Sequence, residues 1–168
     1  MSKNVLCILL VPVIFICYYI FGLKLLFTKP NKVIEGVPVI DFSGTFWGWV
    51  GYLGTILCPA QAIIETVGGV CQNRILITIK TSLGVVYHEV AHVVYAPARA
   101  NGISGASAHA GKGARFEHQA DKWAILKLIE LGKPEEVEKF ITLLGNFDCD
   151  GPYRAKLARR FVRRYKLI

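Results

Sequence analysis

Ser82-Leu83-Gly84-Val85-Val86-Tyr87-His88-Glu89-Val90-Ala91-His92-Val93-Val94-Tyr95-Ala96 is the run on which the reading of this chain turns. It is apolar except for one pattern, H-E-x-x-H. If the run is a helix, His88 and His92 lie one turn apart and point the same way. Two imidazoles on one helix face can hold one Zn²⁺ at about 2.0–2.1 Å each. Glu89 sits off that line, so it reaches a water on the ion rather than the ion itself. Hydrolysis of a peptide bond by a zinc-bound water needs this arrangement. The competing reading is a buried helix with two incidental histidines. It loses ground because a third ligand appears downstream, where the coordination shell needs one.

On the N-terminal side, Arg74-Ile75-Leu76-Ile77-Thr78-Ile79-Lys80 is β-branched and apolar and reads as a strand. Thr81 or Ser82 can cap the helix that follows. That helix should stop near Pro97. The next stretch, 98–114, is rich in Gly, Ala and Ser and has neither helical nor strand period. It is expected to be a loop, either a lid over the cleft or a plain linker. Helical pattern resumes at Arg115-Phe116-Glu117-His118-Gln119-Ala120-Asp121-Lys122-Trp123-Ala124 and runs to Leu131, with Gly132 closing it. Glu117 and Asp121 are four apart and share a face. Glu117 completes a His88/His92/Glu117 metal set and leaves a fourth position for water. Asp121, one turn on, is placed to accept a hydrogen bond from a ligand histidine and fix its tautomer. His109 and His118 are rival ligands, and a solvated acidic face is the plain alternative.

The two motifs H-E-V-A-H and E-H-Q-A-D-K-W-A together resemble the H-E-x-x-H plus E-x-x-A-D pattern of gluzincin metallopeptidases. The membrane-associated HtpX and CAAX-prenyl endopeptidase family is the nearer likeness, and the ImmA/IrrE family is similar over the same motifs. The resemblance covers Ser82 to Leu131. It implies His88, His92 and Glu117 as zinc ligands, Glu89 as acid/base, and Asp121 behind a ligand. With 24 residues between His92 and Glu117, the spacing is closer to the ImmA/IrrE type. Where the HtpX type has a later His-Pro segment, this chain has Gly151-Pro152, with Arg154 following. A metzincin is excluded, because the residues required after His92 are missing.

At 168 residues the chain has room for one compact domain and an appendage. It is 53 % apolar, with a mean hydropathy of +0.41. Val5 to Phe27 is almost wholly apolar, long enough for a hydrocarbon core of about 30 Å, and no small-residue cleavage site follows it. Residues 1–32 are therefore expected to be an N-terminal membrane anchor. Lys24, Lys29 and Lys32 after the span favour a cytoplasmic catalytic part. In 33–70, the uncharged stretch Phe46 to Ile64 is punctuated by Gly48, Gly51, Gly54 and Pro59. It reads either as a second membrane-embedded helix or as two buried elements broken at glycine. A membrane location, single-pass or two-pass, follows from these readings. The five cysteines (Cys7, Cys17, Cys58, Cys71, Cys149) form no C-x-x-C pair, so neither a disulfide framework nor a cysteine metal site is suggested.

Residues 71–168 hold the metal motifs and then two more helices. Val137, Phe140, Ile141 and Leu144 form the apolar stripe of the first. The second carries Arg154, Lys156, Arg159, Arg160, Arg163, Arg164 and Lys166 without an acid, beside Leu157, Phe161, Val162 and Tyr165. With a net charge of +8, the expected partner of that helix is anionic lipid, at about 1 kcal/mol per cation near the surface. Nucleic acid is not expected, for want of a stacking platform.

The expected fold is mainly α with a small β element: a minimal zincin-like metallopeptidase domain behind an N-terminal transmembrane helix. The expected function is membrane-anchored, zinc-dependent endoproteolysis of a protein or peptide substrate, with one Zn²⁺ per chain and Glu89 as the base. An oxyanion helper is needed too, for which Tyr95, His109, Tyr153 and Arg154 are unranked candidates. The alternatives are a non-catalytic, metal-stabilised membrane scaffold and a regulatory peptidase of the ImmA/IrrE kind.

Overall fold

The computed structural model describes residues 3–55, 57–67, 70–95, 113–146 and 150–168. In chain order the elements are α1 (Lys3–Leu26), β1 (Lys32–Ile34), β2 (Val37–Asp41), α2 (Phe46–Gly54), β3 (Ala60–Val67), β4 (Val70–Ile77), α3 (Leu83–Tyr95), α4 (Gly113–Glu130), α5 (Pro134–Asn146) and α6 (Gly151–Tyr165). The chain is mainly helical with one small mixed sheet, ordered β1-β2-β4-β3. β1 runs antiparallel to β2, and β2 runs parallel to β4 with Val39 opposite Ile75. The residues fall into two compact units, Met1–Gln61 with Arg74–Thr81, and Ala62–Asn73 with Ser82–Ile168.

In the first unit the sheet buries Val39, Ile40, Ile75 and Leu76. Thr45 caps α2 by accepting the Gly48 N–H at 3.1 Å. The three glycines of α2 explain its close packing. A Cβ at Gly48 would overlap the carbonyl oxygens of Phe42 and Thr78, and one at Gly51 would meet the ring of Phe21. Phe21 is itself buried and stands edge-on to Phe42, with ring centroids 5.5 Å apart.

These observations correct the membrane expectation. Among the described residues no helix is long and apolar enough to cross a membrane. The transmembrane helix expected within 1–32 falls with that, and so does the membrane location, single-pass or two-pass. Part of the apolar content of α1 serves packing against α2, as Phe21 shows. The stretch 46–64 forms two separate elements, a nine-residue helix and then strand β3, and the helix buries its glycines while Phe46, Trp49 and Leu53 stay exposed. Phe15, Tyr19, Leu26 and Phe27 remain exposed on and just after α1.

The second unit is built around α3. Ser82, of the two expected caps, accepts the Val85 N–H at 3.3 Å. Val86, Val90 and Val93 of α3 are buried, as are Ala124, Ile125 and Leu128 of α4. α5 contributes the stripe Val137, Phe140, Ile141 and Leu144, and α6 adds Ala155, Ala158 and Val162. Each large apolar side chain so buried contributes about 1.5–3 kcal/mol. Phe140 lies against Gly84, where any Cβ would collide with its ring. α4 ends as its pattern predicts. Gly132 is left-handed (φ +67°), its N–H bonds Ile129 O, and the Lys133 N–H bonds Leu128 O.

Candidate metal centre

All the groups described below belong to the second unit. α3 is regular through His88–His92, so the two imidazoles lie on one side of it, 4.6 Å apart between ring centroids. Their Nε2 atoms are 3.0 Å apart. α4 brings in the carboxylate of Glu117, with Oε2 3.2 Å from His88 Nε2 and Oε1 3.3 Å from His92 Nε2. Small residues in α4 permit that approach, since Ala120 and Ala124 are fully covered. The two imidazole nitrogens and the Glu117 carboxylate thus form a compact triangle of groups, with ligand atoms all within 4.8 Å of one another, and this group could hold a metal ion. The size is informative. Donors at about 2.0–2.1 Å from a tetrahedral zinc stand about 3.3 Å apart, and here each imidazole Nε2 has the other at 3.0 Å and its own Glu117 oxygen at 3.2 or 3.3 Å.

Behind the triangle stands a second layer of charge. His88 Nδ1 lies 2.9 Å from Asp121 Oδ1, off the ideal line for its N–H. Asp121 is buried and is gripped by Arg154, whose Nε and Nη2 donate to its two oxygens at 3.0 and 2.7 Å. This is the bidentate fork that guanidinium and carboxylate form best. Arg154 also places Nη1 3.1 Å from Glu117 Oε2, and Nη2 3.5 Å from His88 Nε2.

The electrostatics follow from this crowding. Burial alone would lower the pKa of His88, but the carboxylates of Asp121 and Glu117 beside it override that and raise it to about 9. Burial would raise Glu117, yet His88 and His92 hold it far below the usual carboxylate range. Asp121 is likewise held down against its burial, by His88 and Arg154. Formally, Glu89, Glu117 and Asp121 carry three negative charges and Arg154 one positive. The balance of minus two is what a divalent ion or two extra protons neutralise.

Glu89 points elsewhere. Its Oε2 accepts the backbone N–H of Ala62 at 2.7 Å, and Ala62 lies on β3, the last strand of the sheet order. Of the other expected residues, His118 is half-buried and outside the cluster, edge-on to Tyr153 with ring centroids 5.7 Å apart. Its pKa is lowered by burial, with Arg154 and Lys122 adding to that. Tyr153 is exposed. His109 lies outside the described residues, as do the loop positions 98–112 and the side chain of Tyr95.

Two contributors were not assigned these roles from the sequence. Arg154 was one of four unranked oxyanion helpers, although its spacing to Ala158 and Val162 puts it on the buried face of α6. Ala62 acts through its main chain and left no signal. Compared with protein-family models, curated proteins and solved structures, the chain shows no match.

Proposed function

We propose that this chain is a zinc-dependent endopeptidase of the gluzincin kind, acting on a protein or peptide substrate. The observation that carries the reading is the His88/His92/Glu117 group, whose ligand atoms lie within 4.8 Å of one another, close enough to share one ion. A purely structural zinc site is usually closed by four protein ligands, and three are gathered here among the described residues. Glu89, next to His88 in the motif, is a base that a purely structural site would not require. The fit to zinc rests on the donor set, two imidazole nitrogens and one carboxylate, and on the divalent charge the surroundings lack.

Zinc, when bound, supplies a Lewis acid and a water acidic enough to lose its proton near pH 7. With zinc held by His88, His92 and Glu117, Glu89 would be the group that accepts a proton from water and returns it to the leaving amine. The Ala62 N–H fixes one of its carboxylate oxygens and leaves the other for proton transfer. Asp121 orients the His88 ring through Nδ1, so that Nε2 faces the triangle. Arg154 holds Asp121 and Glu117 in register and prevents two neighbouring carboxylates from repelling each other apart.

Glu89→Gln is the decisive variant. It should bind zinc at the wild-type stoichiometry and lose hydrolysis of an unfolded protein such as casein. Glu117→Ala should lose zinc affinity by about tenfold or more. Full hydrolysis by the Gln variant would refute the role given to Glu89.

A further inference from the structure

α6 joins the metal centre to a basic surface. Its buried side is Arg154, Ala155, Ala158 and Val162. With 3.6 residues per turn, the opposite arc of about 100° holds Lys156, Arg160, Arg163 and Arg164, all exposed. No acidic residue occurs anywhere in α6. Arg159, at the edge of the arc, turns to Glu138 at 3.0 Å. α4 extends the surface with the exposed Lys122, whose Nζ lies 5.6 Å from the Phe161 ring centroid. At the N-terminal end of the arc stands Tyr153, packed on His118. Those two residues directly adjoin Arg154 and Glu117 in sequence, so the Tyr153–His118 contact links the N-terminal end of the arc to α4 next to Glu117.

We propose that this outward face of α6 docks an acidic stretch of the polypeptide that the metal centre cleaves. The proposal rests on the peptidase reading above and names a substrate class for it. Charge complementarity carries it: closely spaced cations without an acid disfavour any cationic or neutral chain along the helix. From Arg154 to Arg164 is about 15 Å along the axis. An extended peptide covers that in about five residues. A run of about five acidic residues therefore spans the arc. Two other polyanions fit less well. An interfacial helix sinks an apolar face into lipid, whereas Ala155, Ala158 and Val162 are spent inside the protein. A nucleic-acid strand needs a platform of several exposed rings to stack on, whereas Tyr153 is the one aromatic residue on the arc.

The test uses the full chain, zinc-loaded, and two fluorogenic peptides with one shared cleavable core. One carries a run of aspartates beside the core, the other serines. The aspartate peptide should be cleaved with a kcat/KM about tenfold higher at low salt, mostly through KM, and the difference should fade as salt rises. Arg160→Glu with Arg163→Glu and Arg164→Glu should erase the preference, leave the serine peptide's rate unchanged, and unfold at the wild-type temperature. Equal cleavage of both peptides by the wild type, or an undiminished preference in the triple variant, overturns the docking face while leaving the peptidase reading intact. Arginine-dependent binding of the labelled aspartate peptide without cleavage of either peptide keeps the face and removes the peptidase. Arginine-dependent binding of single-stranded RNA or phosphatidylserine vesicles, with no binding of the aspartate peptide, replaces the proposal with that polyanion.

Discussion

Arg154→Met should make the fold depend on zinc. Arg154 is buried and donates to both oxygens of Asp121, at 2.7 and 3.0 Å, and its Nη1 lies 3.1 Å from Glu117. Methionine preserves much of the stem volume, so the loss is mainly electrostatic. Removing one partner of a buried ion pair costs about 3–5 kcal/mol, because the other charge stays behind without solvent. Asp121 would keep only the neighbouring His88 Nδ1 at 2.9 Å. The same change removes a guanidinium nitrogen 3.5 Å from His88 Nε2, a positive charge that opposes any cation in the triangle. Zinc should therefore bind the variant more tightly relative to its metal-free state. A ligand at 1,000 times its Kd adds about 4.1 kcal/mol, enough to offset most of the loss. Urea unfolding of wild type and variant, each in chelator and in saturating zinc, reads all four terms. In chelator the variant should lose about 3–5 kcal/mol with an unchanged m-value, and its gain on adding zinc should exceed that of the wild type. A loss below about 1 kcal/mol in chelator, or equal zinc increments, would show that Arg154 is not what balances these carboxylates.

Three further outcomes follow from the same contacts. Without metal, folded His88 titrates near 9 against 6.5 for its ordinary value, so its contribution to stability is whole below about 6.5 and is lost as pH climbs to 9. Glu117 and Asp121, both held down, contribute above their ordinary values and lose that as pH falls. The chelated protein should thus be most stable between about pH 4.5 and 6.5, and zinc affinity should rise with pH as the His88 proton is displaced; a urea midpoint flat from pH 6.5 to 9 contradicts this. Ala62→Pro deletes the N–H that Glu89 accepts, on a strand at the sheet edge where proline is tolerated. It should lower kcat by about tenfold or more at unchanged zinc content, while Ala62→Gly keeps the rate; equal rates in both would mean Glu89 needs no such anchor. Phe140→Ala should cost about 3–5 kcal/mol in urea unfolding, since its ring is fully buried against Gly84; a loss under about 1 kcal/mol would mean the core closes over the gap.

The parts of the site that were legible in the sequence are local ones. His88 and His92 share a helical phase, Glu117 and Asp121 share another, and Gly132 marks where α4 must turn. Each is a statement about three or four residues, which helix geometry converts directly into position. Arg154 lies 66 residues from His88, and no helical period links them. Its burial was inferable from its phase with Ala158 and Val162, but its partners were not. Ala62 contributes a main-chain N–H, which every residue except proline carries, so composition cannot reveal it. The membrane expectation failed for a related reason. Hydropathy measures how apolar a stretch is, not what covers it, and Phe21, Gly48 and Gly51 are covered by protein. The glycines at spacing three did announce a close approach; the partners were a helix and strand-end carbonyls of the same unit.

Charge balance explains why these long-range contacts accompany the local motif. Three carboxylates gathered around two imidazoles would spread apart before any ion arrived. Arg154 supplies one fixed positive charge, placed on the far side of Asp121 and Glu117, where it steadies both carboxylates. A second guanidinium there would cut the balance to minus one and weaken the pocket's appetite for a divalent ion. No cation at all would leave three negative charges and a pocket held together only by the metal. One arginine leaves a balance of minus two, so the triangle can form at ligand spacing beforehand and still favour a doubly charged guest. On this view Arg154→Lys is not a conservative change. A lysine carries the charge but cannot span Asp121 and Glu117 as a fork, so Arg154→Lys should retain more metal-free stability than Arg154→Met and gain less on adding zinc, because its charge still opposes the ion.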